Sequence, residues 1–117
     1  MRRGAKASEL PSGARQDTRK HTRHVLRPTR EAVAGYLARE LSWDEFARAY
    51  RSVIEERHRA GSAGFDEIAA LARTSDVYLG CSCPTKQNPD VRRCHTWLAL
   101  EIMAQMYPNL DVRFPEL

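Results

Sequence analysis

Three cysteines and one histidine are the residues of this chain whose types and spacing are best suited to chemistry. Cys81 and Cys83 flank a single serine, and the adjacent pair Cys94 and His95 follows after ten further residues. A thiolate can act as a nucleophile or metal ligand, and an imidazole as a base or metal ligand. The odd number of cysteines favours thiols, metal ligands or redox groups over a disulfide framework.

The cluster has three interpretations. In a thiol site, Cys94 or Cys83 is the nucleophile or redox centre, and His95 is its base or orients it. In a metal site, Cys81, Cys83, Cys94 and His95 together supply the four ligands of a zinc or an iron ion. The domain is then a non-catalytic interaction module that the metal stabilises, whereas the residues do not identify any other cofactor. In a structural interpretation, the cysteines are small buried hydrophobic residues. The chain lacks both the C-x-x-C motif and the C-x5-R loop of cysteine phosphatases.

A βαβ unit is expected to position these residues. The short uncharged run 77–83 predicts a buried strand, and residues 84–90 predict a polar loop. An apolar segment that starts near residue 92 predicts a helix that is covered on more than one side. Residues 111–114 predict a second strand, parallel to the first. Ligands of such sheets bind beyond the carboxyl ends of the strands, where the cysteines and the histidine lie.

The start of the helix near residue 92 is suited to an anion. Its free backbone N–H groups and partial positive charge favour a bound anion and the thiolate form of Cys94. Arg92 and Arg93 add positive charge. With Cys81 and Thr96 they are the candidate contacts for a small anionic molecule or a nucleotide.

The middle of the chain predicts further helices. Thr29 is placed as the N-cap of a short helix, and Ser42 with Glu45 forms an S-x-x-E capping box before an amphipathic helix that ends near Gly61. A third helix is predicted over 65–73, and an extended segment over 24–26. The Trp and Tyr of the capped helix are expected in the core. The pattern indicates a small three-layer Rossmann-like α/β domain with few parallel strands and several amphipathic helices.

Charge divides the chain into two parts. Residues 1–30 carry nine basic and two acidic side chains, whereas the whole chain has a net charge of +4. Residues 1–22 lack apolar periodicity, so we predict that they form a disordered basic tail. Residues 23–117 are predicted to form a single α/β domain. The tail is a solvated leader rather than a nucleic-acid arm, since it has no aromatic residue to stack on bases and offers weak contacts only. Its deletion is expected to leave stability unchanged.

Location and association follow from the same patterns. No apolar run reaches the length of about 20 residues that spans a bilayer, and no apolar segment follows the basic start, so we predict a cytoplasmic protein that does not contact membranes. Two strands and three helices cover the apolar helix incompletely. Either a homodimer buries the surplus face and sheet edge, or strands precede the given start.

The chain resembles the domain-of-unknown-function family 488 (DUF488). An apolar strand that ends in cysteine, a loop with proline, and Cys-His at the start of an apolar helix carry the resemblance, together with residues 24–29, 42–46 and 48–50. It covers residues 24–115 and implies a three-layer α/β fold with a pocket at the Cys81 and Cys94-His95 loops. Family members commonly have Cys-x-Glu and Cys-His-Arg where this chain has Cys81-Ser82-Cys83 and Cys94-His95-Thr96. The opening strands and helix of the family are not recognisable in the basic tail.

Overall fold

A small parallel sheet organises the fold. The computed structural model describes residues 1–6, 15–82 and 85–115. Within them, three strands form one sheet: β1 spans Arg2–Lys6, β2 spans Arg15–Asp17 and β3 spans Tyr78–Cys81. The order is β1-β3-β2, with both neighbours parallel to the central strand β3. The predicted α/β class with few parallel strands and several helices is confirmed.

Four α-helices accompany this sheet in the part of the chain that is described. Their bounds are α1 Arg30–Leu37, α2 Trp43–Ala60, α3 Ala63–Thr74 and α4 His95–Met106. A single 3-10 turn, Val91–Arg93, precedes α4. None of these helices has the length and apolar character needed to cross a membrane.

The helix boundaries follow the capping signals. The Thr29 side chain accepts from the Ala32 N–H at the start of α1, and both bonds of the Ser42–Glu45 capping box are present at the start of α2. The buried face of α2 carries Phe46, Tyr50 and Ile54, so the predicted amphipathic helix is confirmed.

The second predicted strand of the βαβ unit is reduced to one bridge. Arg113 pairs in parallel with Arg2 of β1 and does not adjoin β3. The Arg113 N–H donates to the Met1 carbonyl at 2.9 Å. The segment after α4 therefore extends the sheet at the outer edge of β1.

The prediction of a disordered tail over residues 1–22 is wrong for the residues that the structure describes there. Residues 2–6 and 15–17 are the two strands that flank β3, so the domain begins before residue 23. Residues 7–14, also placed in that tail, lie outside the described residues. Strands so short and polar show no hydrophobic alternation, because backbone pairing with β3 holds them in the sheet.

The segment 24–26 forms a turn rather than the predicted extended strand. Two side chains of α2 hold it through its carbonyls. The Tyr50 hydroxyl donates to the Leu26 carbonyl at 2.6 Å, and the Arg57 guanidinium donates to the carbonyls of Val25 and Arg27. These bonds satisfy backbone acceptors that would otherwise be buried without a partner.

The core lies between the sheet, α2 and α4. Leu79 of β3 and Leu100 and Met103 of α4 are completely buried, as is Ile54 of α2. Seven of the twelve residues of α4 are buried, which confirms that this helix is covered on more than one side. The core thereby fixes the N-terminal end of α4 against the carboxyl ends of β2 and β3.

Candidate functional site

Three of the four residues of the predicted cluster meet at the start of α4. The Sγ atoms of Cys81 and Cys94 lie 3.1 Å apart, and the Sγ of Cys94 lies 3.9 Å from Nδ1 of His95. Cys81 is the last residue of β3, and Cys94 is the N-cap residue of α4. The strand end and the helix start therefore converge as expected.

The Thr18 hydroxyl orients the imidazole of His95. It donates to the Gly80 carbonyl at 3.1 Å and lies 2.8 Å from Nε2 of His95. Because the hydroxyl has a single proton and gives it to Gly80, Nε2 must carry the imidazole proton and donate it to Thr18. Nδ1 is then unprotonated and is the ring nitrogen that lies near the Cys94 sulfur.

His95 is held in its neutral form. Burial lowers the pKa of His95 below its usual value, and the nearby Cys81 opposes this effect only in part. A neutral imidazole with a bare Nδ1 can accept the proton of a thiol. The site therefore contains a thiol and a base within reach of each other.

The Cys94 sulfur lies in a position that favours its negative form. As the N-cap residue it lies at the positive end of the dipole of α4, although its side chain makes no capping hydrogen bond to the first turn. The Thr96 hydroxyl donates to Sγ at 3.3 Å. Asn88 fixes the approach to the helix, since its side-chain amide donates to the Arg93 carbonyl at 2.7 Å.

Cys81 has a cation beside it. Nη2 of Arg3, on β1, lies 3.7 Å from the Cys81 sulfur. A guanidinium at this distance favours a thiolate through its charge. The two sulfurs therefore have different electrostatic environments, since Cys94 lies at a helix start and Cys81 lies beside an arginine.

A pocket of about 370 Å³ opens over this cluster. A cavity of this volume is large enough for a small-molecule ligand. Cys81, Cys94 and His95 form part of its wall, and none of the described residues that line it is acidic. The described lining residues are Arg19, Lys20, His21, Pro28, Val33, Tyr36, Leu37, Trp43, Phe46, Cys81, Ser82, Thr85, Gln87, Asn88, Arg93, Cys94 and His95.

One wall of the pocket is aromatic. The rings of Tyr36, Trp43 and Phe46 contact each other, with centroids 5.4 to 5.6 Å apart. All three border the pocket, although only Phe46 is buried in the core. The Trp and Tyr of α2 were expected in the core: Tyr50 is buried there, and Trp43 packs against the core while it also borders the pocket.

The rim is basic, and most of its cations come from the predicted tail. Arg19 and Lys20 follow β2 after Thr18 and line the pocket with Arg93. Asp17 accepts three hydrogen bonds from the Arg19 guanidinium, which lowers the pKa of that carboxyl. This pairing fixes the position of Arg19 and offsets part of its charge.

Other predicted site residues lie elsewhere. Arg92 does not line this pocket: it is exposed, pairs with Asp90 at 3.1 Å and borders a separate groove. Thr96 is completely buried and acts on the Cys94 sulfur rather than bordering the pocket. Cys83, a candidate for catalysis and for the metal set, lies outside the described residues. Within those described, no group of three His, Cys, Asp or Glu side chains is arranged to hold a metal ion.

Thr18 and Arg3 are parts of the site that could not be recognised from the sequence. Both lie in the segment interpreted as disordered, and neither belongs to a recognisable motif. Their roles depend on β1 and β2 pairing with β3, which brings residues 3 and 18 to Cys81 and His95. The basic composition of the segment was the only signal available.

Replacing Thr18 with valine is expected to lower the free energy of unfolding by about 2 kcal/mol, because the buried Nε2–H of His95 loses its acceptor. Valine preserves the shape of threonine. Thr18→Ser keeps the hydroxyl and serves as the matched control, with a smaller loss. Urea unfolding at pH 7.5 measures both. Equal stability of the two variants would show that the hydroxyl does not orient His95.

Comparison with known proteins identifies one family. The family model described as DUF488-N3a, the active DUF488-N3 subclade, matches residues 3–107. The match starts within β1 and includes β2 and all the residues that meet at the start of α4, so the similarity begins well before residue 24. No curated protein and no solved structure matches the chain significantly.

Proposed function

The chain belongs to the DUF488 family, and from that premise we propose that it binds a small anionic molecule in the pocket above Cys94 and acts on it through that thiol. The ligand we propose has the size of a mononucleotide. The observation that supports this function is the bare Nδ1 of His95 beside a cysteine at a helix N-terminus, inside a pocket with a basic rim. The description of the matching subclade as active agrees with it.

The proposed chemistry begins with a proton transfer from the Cys94 thiol to Nδ1 of His95. The sulfur then forms a bond to an electrophilic carbon of the ligand, and the leaving group departs with the electron pair of the broken bond. The imidazolium returns the proton to that leaving group. The Thr96 hydroxyl and the first turn of α4 stabilise the negative sulfur.

The pocket accounts for the proposed ligand class. Lys20 and Arg93 at the rim attract a negative group such as a phosphate. The faces of Tyr36 and Trp43 provide an apolar wall for a planar group. A ligand that carries both groups would span from the rim to the sulfur.

Iodoacetate and iodoacetamide test this proposal, because they alkylate the same sulfur and differ in charge. For each reagent, the alkylation rate of Cys94 is divided by the alkylation rate of 2-mercaptoethanol. We expect this normalised rate to be about tenfold higher for iodoacetate than for iodoacetamide at low salt. Peptide mass spectrometry distinguishes alkylation of Cys94 from that of Cys81 and Cys83. Adenosine monophosphate is the ligand probe and should slow both reactions.

Two arginine variants provide the matched comparison. Arg93→Ala removes a rim cation and should lower the preference for iodoacetate several-fold. Arg59→Ala removes an exposed arginine that pairs with Glu56 outside the pocket, and should leave the preference unchanged. Equal preferences in both variants, or slower alkylation of Cys94 than of the other two cysteines, would contradict the proposed site.

A further inference from the structure

The chemistry proposed above uses one sulfur, whereas the site brings two together. We infer that Cys81 and Cys94 form a redox-active pair that closes into a disulfide on reaction with a small-molecule disulfide. Their Sγ atoms lie 3.1 Å apart, and the two residues are cysteines that do not form a disulfide in the structure. The pair thus gives the same pocket a second, oxidative activity.

The two sulfur atoms have to move only a short distance to form a covalent bond. The Sγ–Sγ separation exceeds the covalent bond length by about 1 Å. Cys81 ends β3 and Cys94 caps α4, so their backbones are held by the sheet and the helix. Small rotations of the two side chains can therefore form the bond while these elements keep their positions.

The surroundings assign different roles to the two sulfurs. Cys94, at the helix start and beside Nδ1 of His95, is the attacking thiolate. Cys81, beside the guanidinium of Arg3, is the resolving thiolate. Both border the pocket through which a small disulfide would enter.

The reaction takes place in two exchange steps. The sulfur of Cys94 attacks one sulfur of the small disulfide, forms a mixed disulfide and releases the first thiolate. The sulfur of Cys81 then attacks the Cys94 sulfur and displaces the second thiolate. The two released thiolates take up the two protons that the cysteines lost. The cysteine pair is oxidised by two electrons, and the small disulfide is reduced to two thiols.

Oxidation also blocks the thiol chemistry of the pocket. This consequence rests on the proposed function, because a Cys94 in a disulfide can neither attack a ligand nor react with iodoacetate. Reduction of the disulfide restores the thiol. The disulfide itself requires only the proximity of the two sulfurs, so the pair can be tested independently of ligand binding.

Glutathione disulfide is the probe, and two single variants separate the roles of the cysteines. With Cys83→Ser, we expect a mass loss of two hydrogens and a Cys81–Cys94 disulfide in the peptide map, with no glutathione retained. With Cys81→Ser, we expect the reaction to stop at a stable glutathione adduct on Cys94. In the unsubstituted protein the same disulfide should form, and dithiothreitol should reverse it.

Three results would overturn the pair: a stable glutathione adduct on the Cys83→Ser protein, an unmodified Cys94 in the Cys81→Ser protein, or a disulfide that includes Cys83 in the unsubstituted chain. Iodoacetate labelling of the reduced protein reports separately on the proposed function. Normal labelling without a disulfide refutes only the pair. Disulfide formation without the Arg93-dependent preference for iodoacetate refutes only the proposed ligand site.

Discussion

A chain that lacks residues 1–22 is expected not to fold. The deletion removes both neighbours of β3, and with them the hydrogen bonds from the Arg2 N–H to the Val77 carbonyl and from the Thr18 N–H to the Gly80 carbonyl. It also removes the buried Met1 and Thr18 side chains. We expect a loss of about 5 kcal/mol or more, which is comparable to the whole stability of a small domain.

Circular dichroism on thermal unfolding measures this effect. Arg2→Gln is the control, because it removes a basic charge and the exposed ion pair with Asp76 while keeping the strand. Loss of an exposed pair costs less than about 1 kcal/mol, so this variant should unfold cooperatively. A truncated protein that also unfolds cooperatively, at an unchanged temperature, would restore the interpretation of these residues as a disordered tail.

The helices and the central strand could be predicted because their signals are local. The capping box at Ser42 and Glu45 marks the start of α2, and the apolar run that ends at Cys81 marks β3. The apolar run that ends at Cys81 and the apolar segment that starts near residue 92 were sufficient to predict that a strand end faces the start of α4 at Cys94. Because ligands of such sheets bind beyond the carboxyl ends of the strands, the sulfurs of Cys81 and Cys94 were expected to lie near His95.

The flanking strands could not be predicted, because they are stabilised by long-range pairing. β1 contains Arg2 and Arg3, and β2 spans only Arg15–Asp17, so neither carries an apolar face that periodicity could reveal. Their partner, β3, lies about 60 residues after β2 and about 75 residues after β1 in the chain. Thr18 and Arg3 depend on this pairing to reach His95 and Cys81.

Some basic residues of the N-terminal segment line a pocket in the fold, whereas the sequence predicted that they belong to a solvated tail. Lys20 and Arg93, far apart in the sequence, meet at the rim of one pocket. Arg92, next to Arg93, instead pairs with Asp90 on an exposed turn. Adjacent residues at the start of a helix point in different directions, so the sequence alone could not separate the two arginines.

His24 makes the stability of the fold depend on pH. Its Nδ1 accepts from the Leu26 N–H at 3.1 Å, so Nε2 carries the proton and lies 2.8 Å from Oε1 of Gln16. Burial is the main cause that lowers the pKa of His24 to about 4, the neighbouring His95 acts in the same direction, and Asp17 opposes both. Protonation of Nδ1 would break the bond to Leu26.

The direction of this pH effect follows from the pKa of His24 in the folded and the unfolded chain. The unfolded chain binds a proton at His24 near its ordinary pKa of 6.5, whereas the folded chain binds it only near 4. The stabilisation is therefore complete above pH 6.5 and is lost as the pH falls to 4, by up to about 3 kcal/mol. Urea unfolding at several pH values across this range measures the slope.

The variant His24→Asn should flatten that slope, because the asparagine oxygen can still accept the Leu26 N–H but does not titrate. A smaller slope should remain, since burial also lowers the pKa of His95. The unsubstituted protein, measured under the same conditions, gives the full slope for comparison. If His24→Asn keeps the full slope as well, the acid sensitivity arises elsewhere, and the turn over residues 24–26 does not depend on a neutral histidine.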